Sequence, residues 1–163
     1  PVYQDEQFRY LTEKLNGYIT GAYIYNKMGL TEQVATTITI ATPNPVRRFR
    51  FKNLDIECVK AYCTDYPDES LVPYLRLLDA IKDMKRIPGT TEQDIYNRVK
   101  SQYFNGYSLP ELEKIVSLAK SYPPRVRKVV ADILGDIRQA VLQTEMAKTI
   151  LPTTRFNLDY KTA

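Results

Sequence analysis

The segment Asp55-Ile-Glu57-Cys-Val-Lys60 is the nearest approach in this chain to a catalytic motif. Nucleases of the restriction-endonuclease type hold Mg²⁺ with an acidic residue and a Glu-x-Lys element on a strand. Here two residues separate Glu57 from Lys60, so a strand would place these two side chains on opposite faces. Asp55 and Glu57 would share the exposed face if Ile56 and Cys58 point inward. We therefore interpret both acids as solvated surface residues, and a metal-dependent nuclease is the least favoured alternative.

A second acidic pair, Asp79 and Asp83, has the i, i+4 spacing of one helix face. It could hold a metal only with acids from elsewhere, so we interpret it as a solvated helix face. The chain has no histidine, which removes Ser-His-Asp triads, Cys-His pairs and histidine metal ligands. The glycines are scattered and form no phosphate-binding loop. The sequence therefore predicts no catalytic residue, no metal site and no cofactor.

Cysteine usage and charge narrow the class of protein further. Cys58 and Cys63 are spaced C-x4-C, which matches neither a redox pair nor half of a zinc ribbon. We expect reduced thiols in a cytoplasmic protein, with a Cys58–Cys63 bridge as the lesser alternative. The net charge of +4 permits contact with nucleic acid or an acidic partner without requiring either. No apolar run approaches the roughly 20 residues of a membrane helix, so no membrane partner is expected.

Two basic clusters are the candidates for contact with a partner. The first lies in the alternating run RRFRFK, where Arg48, Arg50 and Lys52 face one side with Arg47 beside them. A strand face of this kind can contact phosphates or an acidic protein.

The second basic cluster consists of Arg125, Arg127 and Lys128 at the start of a predicted helix. The positive end of the helix dipole makes cations unfavourable there, which we interpret as a sign of an external anionic partner. For both clusters the alternative is an ordinary solvated face. The thirteen tyrosines suit either an interface or the edge of a core.

The periodicity of the first sixty residues predicts short helices followed by strands. Within 1–30, one helix is expected to stop at Gly17, and the next to begin at Thr20 as N-cap and end at Gly29 in a left-handed conformation. Within 36–60, a β-branched run is followed by two alternating runs that meet at Asn53, which predicts either a hairpin or one continuous bent strand.

The remainder of the chain predicts a helical bundle over 68–150 and a tail without periodicity over 151–163. Thr90 with Gln93 is expected to form a capping box, Ser108 to cap the next helix, and Pro123-Pro124 to open another. All strands lie in one block between helices, so we expect an α+β fold in a single domain over 1–163. Its sheet should be small, central and mainly antiparallel.

Three segments together resemble the antitoxin domain of the AbiEi family of type IV toxin–antitoxin systems. Residues 17–42 read GYITGAYIYNKMGLTEQVATTITIAT, in which the family's Gly-Leu-Thr-x-Gln-Val turn is followed by a strand. LLDAIKDMKRIPG at 77–89 is similar to a helix of that family, and 111–134, with YPPRVR at 122–127, to its closing helix. In this chain the turn residues are Gly29, Leu30, Thr31, Gln33 and Val34, which we interpret as fold determinants.

The resemblance implies a bacterial antitoxin that counteracts a nucleotidyltransferase-like toxin, directly or indirectly. It also implies transcription regulation through an N-terminal winged helix that binds DNA. No such helix-turn-helix and wing precede Gly17, and the chain begins at Pro1 without a methionine. We therefore expect the DNA-reading part either to have been removed or to lie upstream of Pro1. The alternative function is a fragment of a DNA-binding transcriptional regulator.

Overall fold

A computed structural model describes residues 2–44, 47–62 and 68–160 of the chain, which form helices and one mixed sheet. The class is α+β, as predicted. In chain order the elements are α1 (Val2–Leu15), β1 (Tyr18–Thr20), α2 (Ala22–Lys27), β2 (Thr37–Thr42), β3 (Arg48–Phe51), β4 (Leu54–Lys60), a 3₁₀ turn (Glu69–Leu71), α3 (Val72–Lys82), α4 (Glu92–Gln102), a 3₁₀ turn (Phe104–Gly106), α5 (Leu109–Ala119), α6 (Pro124–Asp136) and α7 (Ala140–Ala147).

The chain divides into two compact units, where the sequence suggested one domain. The first unit is Pro1–Arg76 and the second is Leu77–Ala163, so the boundary falls within α3. All four strands belong to the first unit, and the helices from α4 to α7 belong to the second.

The sheet of the first unit has the strand order β1-β2-β4-β3. The outer pairs β1–β2 and β3–β4 are antiparallel, whereas the central pair β2–β4 is parallel. Two of the three strand pairs are antiparallel, as expected of a mainly antiparallel sheet, and the parallel pair arises because the hairpin inserts β4 beside β2 and leaves β3 outside. The charged β3 thereby occupies an edge, where its arginines reach water.

The core of the first unit lies on one face of the two central strands. The register aligns Ile38 with Ile56 and Ile40 with Cys58, and all four side chains are buried. The prediction that Ile56 and Cys58 point inward is therefore confirmed.

The segment between α1 and α2 differs from the prediction. The left-handed residue after α1 is Asn16, not Gly17, and Thr20 belongs to β1 rather than capping α2, which begins after Gly21. Pairing with β2 overrides the local capping signal. Gly17 is needed for a different reason, because a Cβ there would lie 2.1 Å from the Ala41 carbonyl oxygen.

Helices α4 to α7 of the second unit follow the predicted periodicity closely. On α6, Val126, Val129, Val130, Ile133 and Leu134 are all buried, and this helix packs against α5 and α7. The predicted N-cap at Ser108 is confirmed as part of a capping box with Glu111.

Two helix boundaries in the second unit differ from the prediction. The cap of α4 is Thr91, whose side chain accepts from Asp94 N at 3.1 Å, rather than Thr90 with Gln93. The sequence predicts that a helix resumes after Gly135 and runs to about Ile150, but α7 covers only Ala140–Ala147, because a left-handed Arg138 interrupts the chain. From 151 to 160 the chain contains neither helix nor strand, as expected.

Candidate functional site

The first predicted basic cluster lies on the β3–β4 hairpin of the first unit. Lys52 adopts a left-handed conformation at the turn, with φ of 54°, and reverses the chain before Asn53. Register pairs Arg48 with Glu57 and Arg50 with Asp55, so these four side chains share one face of the sheet. Hairpin geometry thus brings the arginines of the cluster against the two acids of the possible nuclease motif.

The two arginines of that face are compensated by the acids opposite them. Arg48 Nη2 lies 3.1 Å from Glu57 Oε1, and Arg50 Nη1 lies 3.6 Å from Asp55 Oδ1. Both pairs are exposed, so each contributes little to stability, yet together they neutralise the face on which we expected a positive surface. This face does not carry the net charge that the sequence suggested.

The opposite side of the hairpin combines aromatic rings with the remaining cations. Arg47 lies over the ring of Phe49 at 4.6 Å, and Lys52 lies over the ring of Phe51 at 5.7 Å. Phe51 is stacked on Tyr10 of α1, with ring centroids 5.5 Å apart and an interplanar angle of 19°. We call these five residues the aromatic–cationic surface.

The aromatic–cationic surface is accessible from solvent. Tyr10 is 50% exposed, and a depression of about 360 Å³ is lined by Tyr10, Phe51, Lys52 and two residues of α1. Sequence reasoning identified Arg47 and Lys52 but missed Tyr10, because the stacking joins α1 to a strand some forty residues away in the chain. Only the alternation of RRFRFK hinted that aromatic rings would share a face.

The arginines of the second predicted basic cluster are paired with carbonyls and an acid of the second unit. Arg125 donates to the Asn157 carbonyl at 2.8 Å and forms an ion pair with Glu92. Arg127 donates from Nε to the Tyr122 carbonyl at 3.0 Å and from Nη1 to that of Thr149.

Lys128, the third cation of that cluster, contacts Asp132 Oδ1 at 2.9 Å. The cost of placing cations at the start of α6 is thus offset by acids and carbonyls of the same unit. A contact of these three residues with DNA or a protein partner stays a prediction.

The tail after α7 is anchored to the same helices by Tyr160. Its ring is buried and stacked on Tyr96, with centroids 4.4 Å apart, and its hydroxyl donates to Asp132 Oδ2 at 2.7 Å. The Tyr96 hydroxyl donates to Asp136 Oδ2 at 2.6 Å. Burial is the larger cause, and the hydrogen bond to a carboxylate the second, of the raised pKa of both tyrosines. These groups hold the tail against helices of the second unit.

Asp79, predicted to be solvated, is buried in the second unit, and this corrects the sequence interpretation. Its Oδ1 accepts from the Tyr122 hydroxyl at 2.7 Å. Asp83 is half-buried and pairs with Arg86 at 3.1 Å. The residues that the structure describes contain no cluster of three potential His, Cys, Asp or Glu metal ligands.

The turn with the family-like sequence packs into the first unit through Leu30 and Thr31. Gly29 is left-handed with φ of 77°, and Leu30 is completely buried. Thr31 is buried and its Oγ1 accepts from Gln33 N at 3.2 Å, as a loop-stabilising residue should. Gly29, Gln33 and Val34 are exposed, and Val34 reaches 77% exposure.

The thiol of Cys58 is free and buried in β4. Burial raises its pKa, and the nearby Arg47 acts in the opposite direction. Cys63, the other half of the possible bridge, lies outside the described residues. Within the described ranges, no helix has the length and apolar character that crossing a membrane requires.

Comparison with known proteins identified no relative of this chain. No protein-family model matches the chain, and comparisons with curated proteins and with solved structures found no match either.

Proposed function

We propose that this chain is a non-catalytic binding domain of the antitoxin type that counteracts a nucleotidyltransferase-like toxin. The observation that carries the proposal is the exposed aromatic–cationic surface, which offers ring area and positive charge side by side. The resemblance of residues 17–42, 77–89 and 111–134 to the AbiEi family supplies the class of partner.

The composition of the aromatic–cationic surface suits a protein partner. Tyrosine and arginine are enriched where interfaces derive most of their binding energy, because they bury large apolar area and still satisfy polar groups. Tyr10 supplies such a ring, and Arg47 supplies a planar cation stacked on Phe49. A nucleotidyltransferase needs carboxylates to hold its Mg²⁺, so its active cleft is acidic and electrostatically complementary to these cations.

The test is co-expression of the chain with the candidate toxin encoded beside it, scored by growth rescue and by co-purification. We expect rescue with a stable complex. The double variant Tyr10→Ala, Phe51→Ala should weaken the complex by about 2 kcal/mol or more, roughly thirtyfold, and reduce rescue. Arg48→Gln is the matched control, because Arg48 is exposed and lies on the opposite face of the hairpin.

Three outcomes of this experiment would count against the proposal in different ways. Rescue without a complex would indicate an indirect mechanism. Equal loss of binding in the double variant and in Arg48→Gln would place the contact elsewhere. No rescue of a toxic neighbour by the folded chain would refute antitoxin activity of residues 1–163. Circular dichroism of each variant separates these results from misfolding.

A second candidate function, nucleic-acid binding, is favoured by the cations that lie over aromatic rings. Bases stack on exposed rings while Arg and Lys contact the phosphates, so the aromatic–cationic surface also suits a nucleic acid. Such binding must weaken steeply with salt because phosphate contacts release counterions. Titration of a labelled oligonucleotide at low and moderate salt tests this, and a flat response would exclude the candidate.

A further inference from the structure

The segment 154–160, which follows α7 in the second unit, has the burial pattern of a bound peptide. Burial alternates along it: Thr154, Phe156 and Leu158 are half-buried, Tyr160 is buried, and the residues between them are exposed. Alternation of this kind is typical of an extended chain, although the segment belongs to no strand. Its side chains thus turn by turns toward protein and toward solvent, as those of an extended ligand do.

An ion pair between α4 and α6 contacts the main chain of this segment. Arg125 of α6 donates to the Asn157 carbonyl at 2.8 Å. Its partner Glu92, the first residue of α4, accepts from the Asp159 N–H at 3.2 Å. The two bonded groups lie two residues apart, so the ion pair contacts one edge of the segment as a residue of a neighbouring parallel strand would. These bonds do not depend on the side chains of Asn157 and Asp159.

The segment also supplies one buried anchor, Tyr160. Its ring stacks on Tyr96 of α4 with centroids 4.4 Å apart, and its hydroxyl donates to Asp132 Oδ2 at 2.7 Å. Asp132 is buried and its other oxygen contacts Lys128, so the acceptor is held in place. Peptide-binding sites combine main-chain bonds, which give affinity, with a pocket for a side chain, which gives specificity. The face of α4 and α6 presents both to an extended segment that carries a tyrosine.

A single exposed β-turn connects this segment to α7. Thr154 N donates to the Leu151 carbonyl at 3.0 Å, and the central residues of the turn, Pro152 and Thr153, are exposed. Proline is favoured at the position that it occupies in such a turn. From residue 155 to residue 158 no main-chain group bonds to another main-chain group in the described part of the chain. The turn therefore directs the segment back to its own unit, and side chains alone hold it there.

We propose that two copies of this chain exchange the segment, so that the face of α4 and α6 in each copy binds residues 154–160 of the other. The ion pair, the tyrosine stack and the hydrogen bond to Asp132 are the same within one chain and between two, so the exchange sacrifices none of these contacts. The path of the turn and the protein concentration then decide between the two arrangements. This exchange does not depend on the proposed function.

The first test removes the turn. Deleting Pro152 and Thr153 shortens the link by about 7 Å and eliminates the reversal after α7, so the segment no longer returns to its own unit. We expect light scattering after size-exclusion chromatography to give twice the mass of the unmodified chain at the same concentration. The control variant Pro152→Ala, Thr153→Ala keeps the length of the link and should leave the mass unchanged. Adding Tyr160→Ala to the deletion should abolish the doubling, because the buried anchor is lost.

A synthetic peptide of residues 152–160, PTTRFNLDY with a blocked carboxyl end, tests the site directly. Titrated to millimolar concentration into the ¹⁵N-labelled Tyr160→Ala variant, it should shift the amides of Tyr96 and Arg125 and leave that of Phe49 unchanged. Phenylalanine in place of the peptide's tyrosine should weaken binding about tenfold or more, since a hydrogen bond to a charged acceptor is lost. Excess peptide should also convert the dimer of the deletion variant into a monomer.

Several results would overturn the proposal. One is a folded deletion variant with the mass of the unmodified chain. Another is a dimer of the deletion variant that persists with Tyr160→Ala or with excess peptide, since its contact would lie elsewhere. Equal binding of the peptide with tyrosine and of one with alanine in its place would also overturn it. Circular dichroism shows whether each variant is folded, and if the deletion variant is not, the absence of any amide shift at millimolar peptide would overturn the proposal alone.

Discussion

Replacing Tyr160 with phenylalanine removes one hydroxyl from the stacked tyrosine pair of the second unit. In the folded protein Tyr160 donates to Asp132 and Tyr96 donates to Asp136, and both rings are buried. Burial, together with the carboxylate acceptors, raises the pKa of both hydroxyls. The folded state therefore resists ionisation of these tyrosines, whereas the unfolded chain does not.

The direction and size of the pH effect follow from linkage. Because the folded pKa is raised, the protonated tyrosines contribute stability that is fully present below about pH 10 and is lost as the pH rises toward the folded pKa. Above about pH 10 each tyrosine removes roughly 1.4 kcal/mol of unfolding free energy per pH unit. The Tyr96–Tyr160 pair should thus remove about 3 kcal/mol by about pH 11, and Tyr160→Phe should halve that loss.

At neutral pH the same substitution should cost about 1.5–3 kcal/mol, the range for a hydrogen bond to a charged acceptor. The cost stays in this range because Lys128 still contacts Asp132 at 2.9 Å. Urea unfolding followed by circular dichroism between about pH 8 and 11 measures both effects. Tyr10→Phe is the control, since Tyr10 is half exposed and in the other unit.

An unchanged alkaline slope in Tyr160→Phe would refute a contribution of the Tyr160 hydroxyl to the pH dependence. It would also be refuted if Tyr10→Phe altered the slope as strongly. Titration of the lysines acts on all three proteins alike, so the comparison isolates the Tyr160 hydroxyl.

Three further changes test the packing and the surface. Gly17→Ala should lower the free energy of unfolding by about 2 kcal/mol or more, because its Cβ would meet the Ala41 carbonyl. Gly106→Ala is the control, since a Cβ there has open space and should cost little. Equal Tm shifts of the two variants would contradict this prediction. Tyr122→Phe should cost about 1–3 kcal/mol in urea unfolding by depriving buried Asp79 of a donor, and a neutral effect would show that this bond is dispensable. Arg48→Gln should cost less than about 1 kcal/mol by thermal denaturation, and a larger loss would mean that its exposed pair is structural.

Features encoded over one or two helical turns could be predicted from the sequence. The capping box at Ser108 and the apolar stripe of α6 need only residues three to eight positions apart. The β3 and β4 strands were predictable for the same reason, but the choice between a hairpin and one bent strand at Asn53 was not, and the structure has the hairpin.

Features that depend on distant parts of the chain could not be predicted. Strand β1 exists because Tyr18–Thr20 pair with β2, and no local signal outweighed the apparent cap at Thr20. Asp79 resembled a solvated acid because its hydrogen-bond donor, Tyr122, is 43 residues away. The i, i+4 spacing of acids describes one helix face but not what covers it.

The candidate site shows the same division. Arg125 and Arg127 were correctly identified as cations in an unfavourable place, but their compensation comes from Glu92 and from carbonyls of the chain's own tail and turns. The charges and the start of the helix can be read from the sequence. The positions of the groups that pair with Arg125 and Arg127 depend on the fold. For the same reason Tyr10 could not be assigned to the surface it shares with Phe51.

The buried thiol of Cys58 can serve as a chemical probe of how often the sheet opens. The thiol lies in the central strand β4 with no exposed surface, and burial raises its pKa, so reagents that need a thiolate reach it only when the strand opens. With Cys63 replaced by serine, the labelling rate would report opening of the first unit. Both cysteines of the chain belong to the first unit, so the second unit contributes no labelling.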